Sequence, residues 1–262
     1  MKNPLVWLAL VIVVGGAASL YYWRYGRVPE PAVPVATAPP PPPAAAPEAP
    51  RIQHPIPELP AGAAPLPSLA DSDALAKETM AGLFGAGAFA QFFNADAMVR
   101  RFVVTVDNLP RKTTAARLMP VKPVPGAFAV AGGNGSFDIA EPNPMRYRPY
   151  IVAMEGVEAK RLVAAYVRLY PLFQSAYQEL GYPNGYFNDR LVQTIDDLLA
   201  TPDVPAPRLA QPKVLYEFAD TALEERSAGQ KIMLRMGSAN AARVKEKLRA
   251  IRRELTGPMA PS

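Results

Sequence analysis

Apolar side chains recur at helical spacing over residues 157–180, in the second half of the chain. Successive members are three or four residues apart, so they share one face of a helix. The positions are Leu162, Tyr166, Leu169, Phe173, Tyr177 and Leu180. Pro171 lies inside this pattern without shifting its phase, which predicts one kinked helix rather than two separate ones. Gly181 is expected to end the helix.

Two shorter helices are predicted before this segment. The first is capped by Asp71 and Ser72 and runs to about Ala81, after which several glycines interrupt the pattern. The second begins near Asn94. Its residues 102–106 also have the β-branched content of a strand, but the apolar positions recur at helical spacing and favour a helix. Those positions are Ala95, Met98, Phe102 and Val106.

Three more helices are predicted after the long one. The first extends from about Asn188 to Ala200, and Ser227 with Gln230 forms a capping box that opens the second. Ser238 is expected to cap the last helix. The inward positions are Leu191, Ile195, Leu198 and Leu199 in the first of these helices and Val244, Leu248, Ile251 and Leu255 in the last.

A small β component is predicted between the helices. Apolar residues alternate with other residues on both sides of a Gly-Gly-Asn-Gly turn at positions 132–135, which is typical of a β-hairpin. The alternating positions are Phe128, Val130, Phe137 and Ile139, and a third segment with Val214, Tyr216 and Phe218 is expected to join them. The domain is therefore predicted to be mainly α with a minor β-hairpin component, an α+β fold.

The N-terminal segment has a different pattern. Residues 4–23 contain no charged side chain, and a helix of about 20 residues spans the roughly 30 Å hydrocarbon layer of a membrane. Trp7 near one end and the Tyr-Tyr-Trp sequence at 21–23 suit the headgroup level, and arginines follow at once. This pattern predicts a single transmembrane anchor with a short flank, over residues 1–27.

A cleaved signal peptide is the alternative interpretation of this segment. Lys2 would form its positive region, and Ala17 with Ser19 would fit a cleavage site. The aromatic residues at the interface favour the anchor. Lys2 and the amino terminus balance Arg24 and Arg27, so charge does not fix the orientation. A long tether directly after an anchor favours a periplasmic domain on a bacterial inner membrane.

Proline dominates the next part of the chain. Fifteen of the 31 prolines lie between Pro29 and Pro67, where fixed φ angles and missing amide donors prevent a packed core. We predict a disordered proline-rich stalk over residues 28–67, a globular domain over 68–256 and a flexible tail over 257–262. A PxxP strip that docks into an aromatic groove is the alternative use of the stalk.

Composition excludes several chemistries. The chain has no cysteine, which removes disulfides, thiolate nucleophiles and thiolate metal sites. Its only histidine, His54, lies in the predicted stalk. Histidine-based catalytic and metal sites are therefore not expected in the domain. No metal, cofactor or catalytic residue is predicted.

Positive charge is concentrated at the end of the domain. Net charge is +5 for the 262 residues, but residues 226–253 hold nine bases and one acid, whereas residues 68–225 hold fifteen bases and eighteen acids. We therefore predict a basic face on the last helix, with Lys245, Arg249 and Arg252 as binding residues for an acidic partner. The alternative is a helix-turn-helix that contacts nucleic acid, which an exported domain would not meet.

Tyrosine and arginine form a second candidate binding site. Tyrosine rings beside arginines stack well on sugars or peptides. The residues selected for this role are Arg146, Tyr147, Arg148, Tyr150, Tyr182 and Tyr186, and their tyrosines are expected in loops. The alternative is that the rings fill the core.

Four phrases of the domain carry a resemblance to a known family. They are VVTVDNLPR at 103–111, RYRPY at 146–150, YPLFQSAYQELGYPNGYFNDR at 170–190 and AGQKIMLRMGSANAARVKEKLRAIR at 228–252. Taken together they resemble the proteobacterial family catalogued as domain of unknown function 3014. The resemblance implies an N-terminal hydrophobic segment, a proline-rich linker and this domain, and it implies no activity.

The leading functional hypothesis is a non-catalytic, membrane-tethered cell-envelope protein that presents a periplasmic binding domain to an envelope protein or to cell-wall material. The alternative is a cell-wall hydrolase that uses only Asp and Glu. Adjacent carboxylates such as Asp196 and Asp197 diverge by about 100° on a helix, so a hydrolase would need an acid and a base from distant segments. A cytoplasmic-facing nucleic-acid binder is the second alternative.

Overall fold

The computed structural model describes residues 51–57 and 62–257. Within these residues the chain forms nine α-helices and one four-stranded antiparallel sheet, so the predicted α+β class is confirmed. None of the helices in these two ranges combines the length and the apolar character needed to cross a membrane. The predicted anchor, the first part of the predicted stalk and the tail after Gly257 lie outside the described residues.

The helices follow one another in three groups along the chain. Their bounds are α1 Asp73–Phe84, α2 Ala86–Phe92, α3 Met98–Asn108, α4 Pro142–Glu155, α5 Ala159–Glu179, α6 Phe187–Leu199, α7 Thr221–Glu224, α8 Ala228–Arg235 and α9 Ser238–Thr256. Short 3₁₀ turns occupy Leu69–Asp71 and Ala116–Leu118. The strands are β1 Val130–Gly133, β2 Ser136–Ile139, β3 Arg208–Ala210 and β4 Glu217–Phe218.

The helices with clear apolar stripes lie where the sequence predicts them. Helix α5 continues through Pro171 without interruption, and the segment 102–106 is helical, as part of α3. The Ser227 hydroxyl caps α8 by accepting a hydrogen bond from the Gln230 amide at 3.1 Å. Gln230 does not complete the reciprocal half of a capping box, because its side-chain amide donates to the Asp197 carbonyl at 2.7 Å.

Several predicted helix boundaries need correction. Ser72 precedes α1, but its side chain makes no capping bond. Helix α3 begins at Met98 rather than near Asn94, and α2 was not predicted because the glycines around it obscure its pattern. Gly237, with φ 87°, precedes α9 as its N-cap, and the Ser238 side chain makes no capping bond. A residue without Cβ adopts this left-handed backbone most easily.

The sheet contains the predicted hairpin and one strand that was missed. β1 and β2 pair around Asn134 and Gly135, whose φ angles are 51° and 80°, as a two-residue hairpin turn requires. β3 inserts between β2 and β4, with Leu209 opposite Phe137 on one side and Phe218 on the other. The sheet order is β1-β2-β3-β4.

The third alternating segment was predicted only in part. Phe218 lies in β4 and is buried, and Tyr216 packs beneath the sheet. Val214 does not alternate inward, because it is 85% exposed and Leu215 is 75% exposed. Val214 lies in a run of bends over 212–215 that begins at Pro212, so the backbone reaches strand geometry only at Glu217.

Hydrophobic residues form three clusters in the described part. The largest joins α1, α2, α3, α5, α6 and α9. The second lies under α4, α8 and α9, around Ile151 and Met233. The third, which we call the sheet core, consists of Leu209, Phe218, Leu223 and Leu234. All four of its members are buried, and Leu209 is 0% exposed.

Candidate functional site

A cavity of about 390 Å³ lies inside the largest hydrophobic cluster. Helices α1, α3, α5, α6 and α9 form its walls, with residues from the segment around Pro120. All but a few of the lining side chains are apolar, and each is buried or half-buried rather than exposed. Representative lining residues are Phe102, Val106, Tyr166, Phe173, Leu198 and Leu248.

The cavity follows directly from the facing stripes of α3 and α5. Its lining on α3 extends from Met98 to Leu109, a rise of about 16 Å along the helix. The Phe102 and Phe173 rings meet at a centroid distance of 5.2 Å and an angle of 55°. Tilted aromatic pairs are a favoured arrangement, and these two rings form part of the wall where the stripes of α3 and α5 face each other.

The size and polarity of the cavity are those of a ligand site. Pockets for small molecules occupy about 300 to 1,000 Å³ and are mostly apolar. The cavity is partly open to solvent, so an apolar occupant would remove apolar lining surface from water and stabilise the folded protein.

One polar connection leads out of the cavity wall, through Tyr166. The Tyr166 hydroxyl donates to Asn188 Oδ1 at 3.1 Å. Burial, then the neighbouring Tyr170, Tyr186 and Asp189, raise the pKa of Tyr166 well above its usual value, so the hydroxyl is a neutral donor at physiological pH. Asn188 is itself 0% exposed.

Residues 51–57, which belong to the predicted stalk, contact the domain beside this connection. Asn188 Nδ2 donates to the His54 carbonyl at 2.8 Å, and the Ile56 amide donates to the Tyr186 hydroxyl at 2.7 Å. The Asp189 carboxylate accepts from the amides of Gln53 and His54, at 3.0 and 2.7 Å. Residues 53–56 of the predicted stalk are therefore bound to the start of α6 and to the preceding Tyr186.

A buried ion pair joins the end of α3 to α6. Asp107 is 5% exposed, and Arg190 Nε donates to its Oδ1 at 3.2 Å while Arg111 Nη2 donates to its Oδ2 at 2.7 Å. The Asp107 charge, together with Tyr182, raises the pKa of Arg111. Two guanidinium groups therefore compensate one buried carboxylate, which favours a structural role for Asp107.

Tyr182 and Tyr186, two of the predicted binding residues, are held by the domain itself. Tyr182 stacks on Tyr177 at a centroid distance of 4.5 Å, and its hydroxyl accepts from Arg111 at 2.6 Å. Tyr186 lies against Tyr170 and holds Ile56. Both lie at the turn between α5 and α6, as expected, but the Tyr182 hydroxyl is bonded to Arg111 of the domain and the Tyr186 hydroxyl to Ile56 of the predicted stalk.

Arg146 and Tyr150, two further predicted binding residues, lie on α4 rather than in a loop. Arg146 donates to Asn143 Oδ1 and to the Pro125 carbonyl, both at 2.9 Å. The Tyr150 hydroxyl donates to the Pro123 carbonyl at 3.2 Å. The two side chains thus fasten the segment before the hairpin to α4, because its carbonyl oxygens lack strand partners there.

The other two α4 residues differ from each other. Tyr147 packs against the second hydrophobic cluster, and burial raises its pKa although Arg146 and Arg235 oppose the shift. Arg148 is exposed. Pro142 and Pro144 lie in the first turn of α4, where a missing amide costs little, whereas Pro149 lies inside the helix and removes one of its hydrogen bonds.

The basic residues of α9 are partly paired with the acidic remainder of the domain. Arg252 forms a two-point ion pair with Asp196, in which Nη2 donates to Oδ2 at 3.1 Å, and this bond raises the pKa of Arg252. Lys245 donates to the Thr201 carbonyl. Arg249 is exposed at the edge of a smaller cavity of about 280 Å³, which Lys245 also lines.

The three groups of predicted binding residues do not form one site. They lie on α4, on the turn after α5 and on α9, and among the described residues no hydrogen bond or ion pair links one group to another. The adjacent carboxylates Asp196 and Asp197 are also occupied, since Asp196 pairs with Arg252 and Asp197 accepts from Ser227 at 2.7 Å. No group of three or more potential metal ligands occurs in the described ranges.

Sequence reasoning missed the cavity and the bound end of the stalk. The cavity-lining residues Phe102, Tyr166 and Phe173 were predicted correctly as inward positions, but periodicity does not tell whether facing side chains fill the space between them. The signal for the bound segment was weaker still. Residues 51–57 differ from the preceding Pro- and Ala-rich sequence only by two isoleucines, Ile52 and Ile56, and three polar residues.

Comparison with known proteins gives one match. The family model described as protein of unknown function (DUF3014) matches residues 98–252. This range includes four of the five helices that line the cavity, namely α3, α5, α6 and most of α9. No curated protein and no solved structure matches the chain.

Proposed function

The chain belongs to the family described as protein of unknown function (DUF3014), and from this premise we propose a non-catalytic binding protein that holds an acyl chain in its apolar cavity. The protein is tethered to the bacterial inner membrane, and its domain faces the periplasm. The observation that carries the binding role is the cavity of about 390 Å³ inside the helical cluster. The membership brings no activity with it, so the role rests on geometry.

An acyl chain fits the chemistry of the cavity walls. The lining offers almost no polar atom, and the Thr194 hydroxyl donates its hydrogen bond to the Val106 carbonyl. A polar ligand would lose its bonds to water there without replacement, at a cost of roughly 1 to 3 kcal/mol per group. A hydrocarbon chain loses none, and each buried methylene contributes about 0.8 kcal/mol. The elongated lining along α3 suits an unbranched chain better than a compact ring.

The membrane tether supports the same function. Residues 4–23 have the length and apolar composition of a membrane span, with aromatic residues at both ends. A proline-rich stalk then gives the domain reach along and away from the membrane. An acyl chain bound by such a domain would come from a lipid or lipid-linked molecule of the envelope.

The binding role is tested with a photoactivatable hexadecanoic acid that carries a diazirine in its chain. Full-length protein is irradiated with this probe, and cross-linked peptides are identified by mass spectrometry. We expect cross-links on α3 and α5, around Phe102 and Tyr166. Labelling confined to exposed surface, or no labelling at all, would overturn the proposal.

Two alanines on the same helix provide matched variants. Ala165 lines the cavity, whereas its neighbour Ala164 is exposed. Ala165→Leu should reduce cavity labelling several-fold because the added carbons occupy the site, and Ala164→Leu should leave it unchanged. Equal labelling of both variants would show that the probe binds elsewhere. A compact apolar competitor such as naphthalene should displace the probe less well than unlabelled hexadecanoate.

Location is tested separately from binding. A reporter that is active only outside the cytoplasm, fused after Ser262, should be active, because a single span places the two ends of the chain on opposite sides. Full-length protein should stay in washed membranes. An inactive export reporter beside an active cytoplasmic one would reverse the orientation, and a shortened mature protein that begins near Leu20 would favour the signal peptide.

A further inference from the structure

The start of α6, with Asn188, Asp189 and the preceding Tyr186, binds the main chain of residues 53–56, which bends at Gln53 and His54. These three side chains make four hydrogen bonds to the backbone of residues 53–56, with lengths from 2.7 to 3.0 Å. All four bonds involve amide or carbonyl groups of the segment. The contacts therefore recognise the backbone of the segment and not its polar side chains.

One side chain fixes the register of the bound segment. Ile56 packs against the largest hydrophobic cluster, while its amide donates to Tyr186. A shift by one residue would bring Pro55 or Pro57 to this position, and proline has no amide hydrogen to donate. The segment thus docks in one register only.

Asn188 connects the bound segment to the cavity. Its Nδ2 donates to the His54 carbonyl at 2.8 Å, and its Oδ1 accepts from the Tyr166 hydroxyl at 3.1 Å. The Tyr166 ring lines the cavity and packs against Phe173 at a centroid distance of 5.4 Å. The buried side-chain amide of Asn188 therefore contacts the stalk through its nitrogen and the cavity-lining Tyr166 through its oxygen.

We infer that filling the cavity and docking residues 53–56 are thermodynamically coupled through Tyr166 and Asn188, each strengthening the other; this inference rests on the proposed function. A chain in the cavity restricts the Tyr166 ring to the position from which its hydroxyl reaches Asn188. The bound Asn188 amide is then oriented toward the His54 carbonyl. Because Tyr166 and Asn188 are already ordered once the cavity is filled, docking of residues 53–56 then loses less conformational entropy. This gives positive coupling between the two events.

The coupling has a consequence for the tether. In the filled protein residues 53–56 are held on α6, so the free stalk is shorter. In the empty protein the same residues are released more often and lengthen the stalk. The distance that the stalk allows between the domain and the membrane would thus be shorter when the cavity is filled and longer when it is empty. The helices of the domain need not move.

Reciprocity makes the coupling measurable from both ends. If hexadecanoate strengthens docking by a given factor, docking strengthens hexadecanoate binding by the same factor, typically about 5- to 150-fold. Hydrogen exchange of the peptide 51–57 in the full-length chain reports docking, because the amides of Gln53, His54 and Ile56 are bonded only when the segment is bound. We expect saturating hexadecanoate to slow this exchange at least several-fold.

Two variants test separately the docking of residues 53–56 and the link through the Tyr166 hydroxyl. Asp189→Ala removes both carboxylate contacts to the segment but no cavity wall, so exchange in 51–57 should become fast and the Kd for hexadecanoate should rise several-fold. Asp203→Ala, at an exposed aspartate away from the segment, should change neither. Tyr166→Phe keeps the ring and loses the hydroxyl. In this variant hexadecanoate should still bind but no longer slow the exchange.

The outcomes distinguish the coupling from the binding role. Equal hexadecanoate affinity in wild type and Asp189→Ala, or an exchange rate in 51–57 that hexadecanoate leaves unchanged, would overturn the coupling and leave the proposed function standing. Faster exchange with hexadecanoate would reverse its sign and overturn it as well. If hexadecanoate binds no variant while the amides of α5 stay protected, the domain is folded and the proposed function itself fails together with the coupling.

Discussion

The sheet core and the cavity wall are made of the same residue types and are packed in opposite ways. In the sheet core, Leu209 contacts neighbours on every side and is 0% exposed. In the cavity wall, Phe102 and Leu248 are surrounded by helices and are still only half-buried, because they face the open volume. Close packing is the normal condition of a protein interior. The comparison therefore separates a region that stabilises the fold from one that has room for a ligand.

Truncation in the sheet core should have the largest effect. Leu209→Ala is expected to lower the free energy of unfolding by about 3 to 5 kcal/mol, since it removes buried contacts and leaves a cavity that the paired strands cannot close. Urea unfolding measures the change. Leu215→Ala, at a residue that is 75% exposed, is the control and should change stability by less than about 0.5 kcal/mol. If Leu209→Ala lowers the free energy of unfolding by less than about 1 kcal/mol, the sheet core is not packed more tightly than the cavity wall.

The same truncation in the cavity wall should cost less. Leu248→Ala is expected to lower the free energy of unfolding by about 2 kcal/mol, the lower end of the range for leucine, because part of its surface already borders open space. The measurement is again urea unfolding, under the conditions used for Leu209→Ala. If Leu248→Ala costs as much as Leu209→Ala, the wall is packed as tightly as the sheet core and the cavity has no room for a ligand.

Enlarging a side chain should distinguish the two kinds of packing on one helix. Ala165 lines the cavity, whereas Ala176 is 4% exposed in the packed part of the cluster. Ala165→Leu should change stability by less than about 1 kcal/mol, and Ala176→Leu should destabilise by about 1 to 3 kcal/mol through overpacking. Thermal unfolding measures both. Similar destabilisation by the two variants would mean that the space beside Ala165 closes in solution.

Hexadecanoate should stabilise the wild type more than it stabilises Ala165→Leu. At a concentration of 100 Kd a ligand that binds only the folded state adds about 2.7 kcal/mol. The increase in Tm should be smaller in Ala165→Leu and unchanged in Ala176→Leu, provided that the latter folds. An equal increase in both would place the bound hexadecanoate outside the cavity.

Charge on α9 should have the smallest effect. The Arg252 and Asp196 side chains are 38% and 48% exposed, and pairs at such sites contribute between about 0 and 1 kcal/mol. Replacing Lys245, Arg249 and Arg252 together by Gln should therefore alter the unfolding free energy less than Leu248→Ala does. Urea unfolding at low and high salt measures the change. A loss as large as that of Leu248→Ala would show that these bases support the fold instead of forming a free surface.

Periodic elements could be predicted because their signal is local. Helix α5 and the β1–β2 hairpin lie where the pattern predicts them, since helical and strand spacing depend only on which residues face the core. Helix α4 was missed because it contains three prolines, and strand β3 because three residues carry too little pattern. Both form only where neighbouring segments supply hydrogen-bond partners and buried surface.

The candidate binding residues show the same limit. Arg146 and Tyr150 were chosen for their chemistry, but their partners are carbonyl groups of a segment more than twenty residues earlier in the chain. Tyr182 likewise finds a partner in Arg111, just after α3, and Arg252 finds one in Asp196 on α6. A side chain that looks available in a sequence is available in the protein only if no such partner lies within reach.

The sequence by itself determined the helical class, the hairpin turn, the exclusion of cysteine and histidine chemistry from the domain, and the position of the family's phrases. Each of these depends on residue identity or on spacing within one element. The tertiary structure decided the rest: the cavity, the ion pairs of Asp107 and the docking of residues 53–56. Each of these depends on distances between side chains from different elements. Periodicity determines whether a side chain faces the core, but only the packing of several helices determines which residues it contacts there.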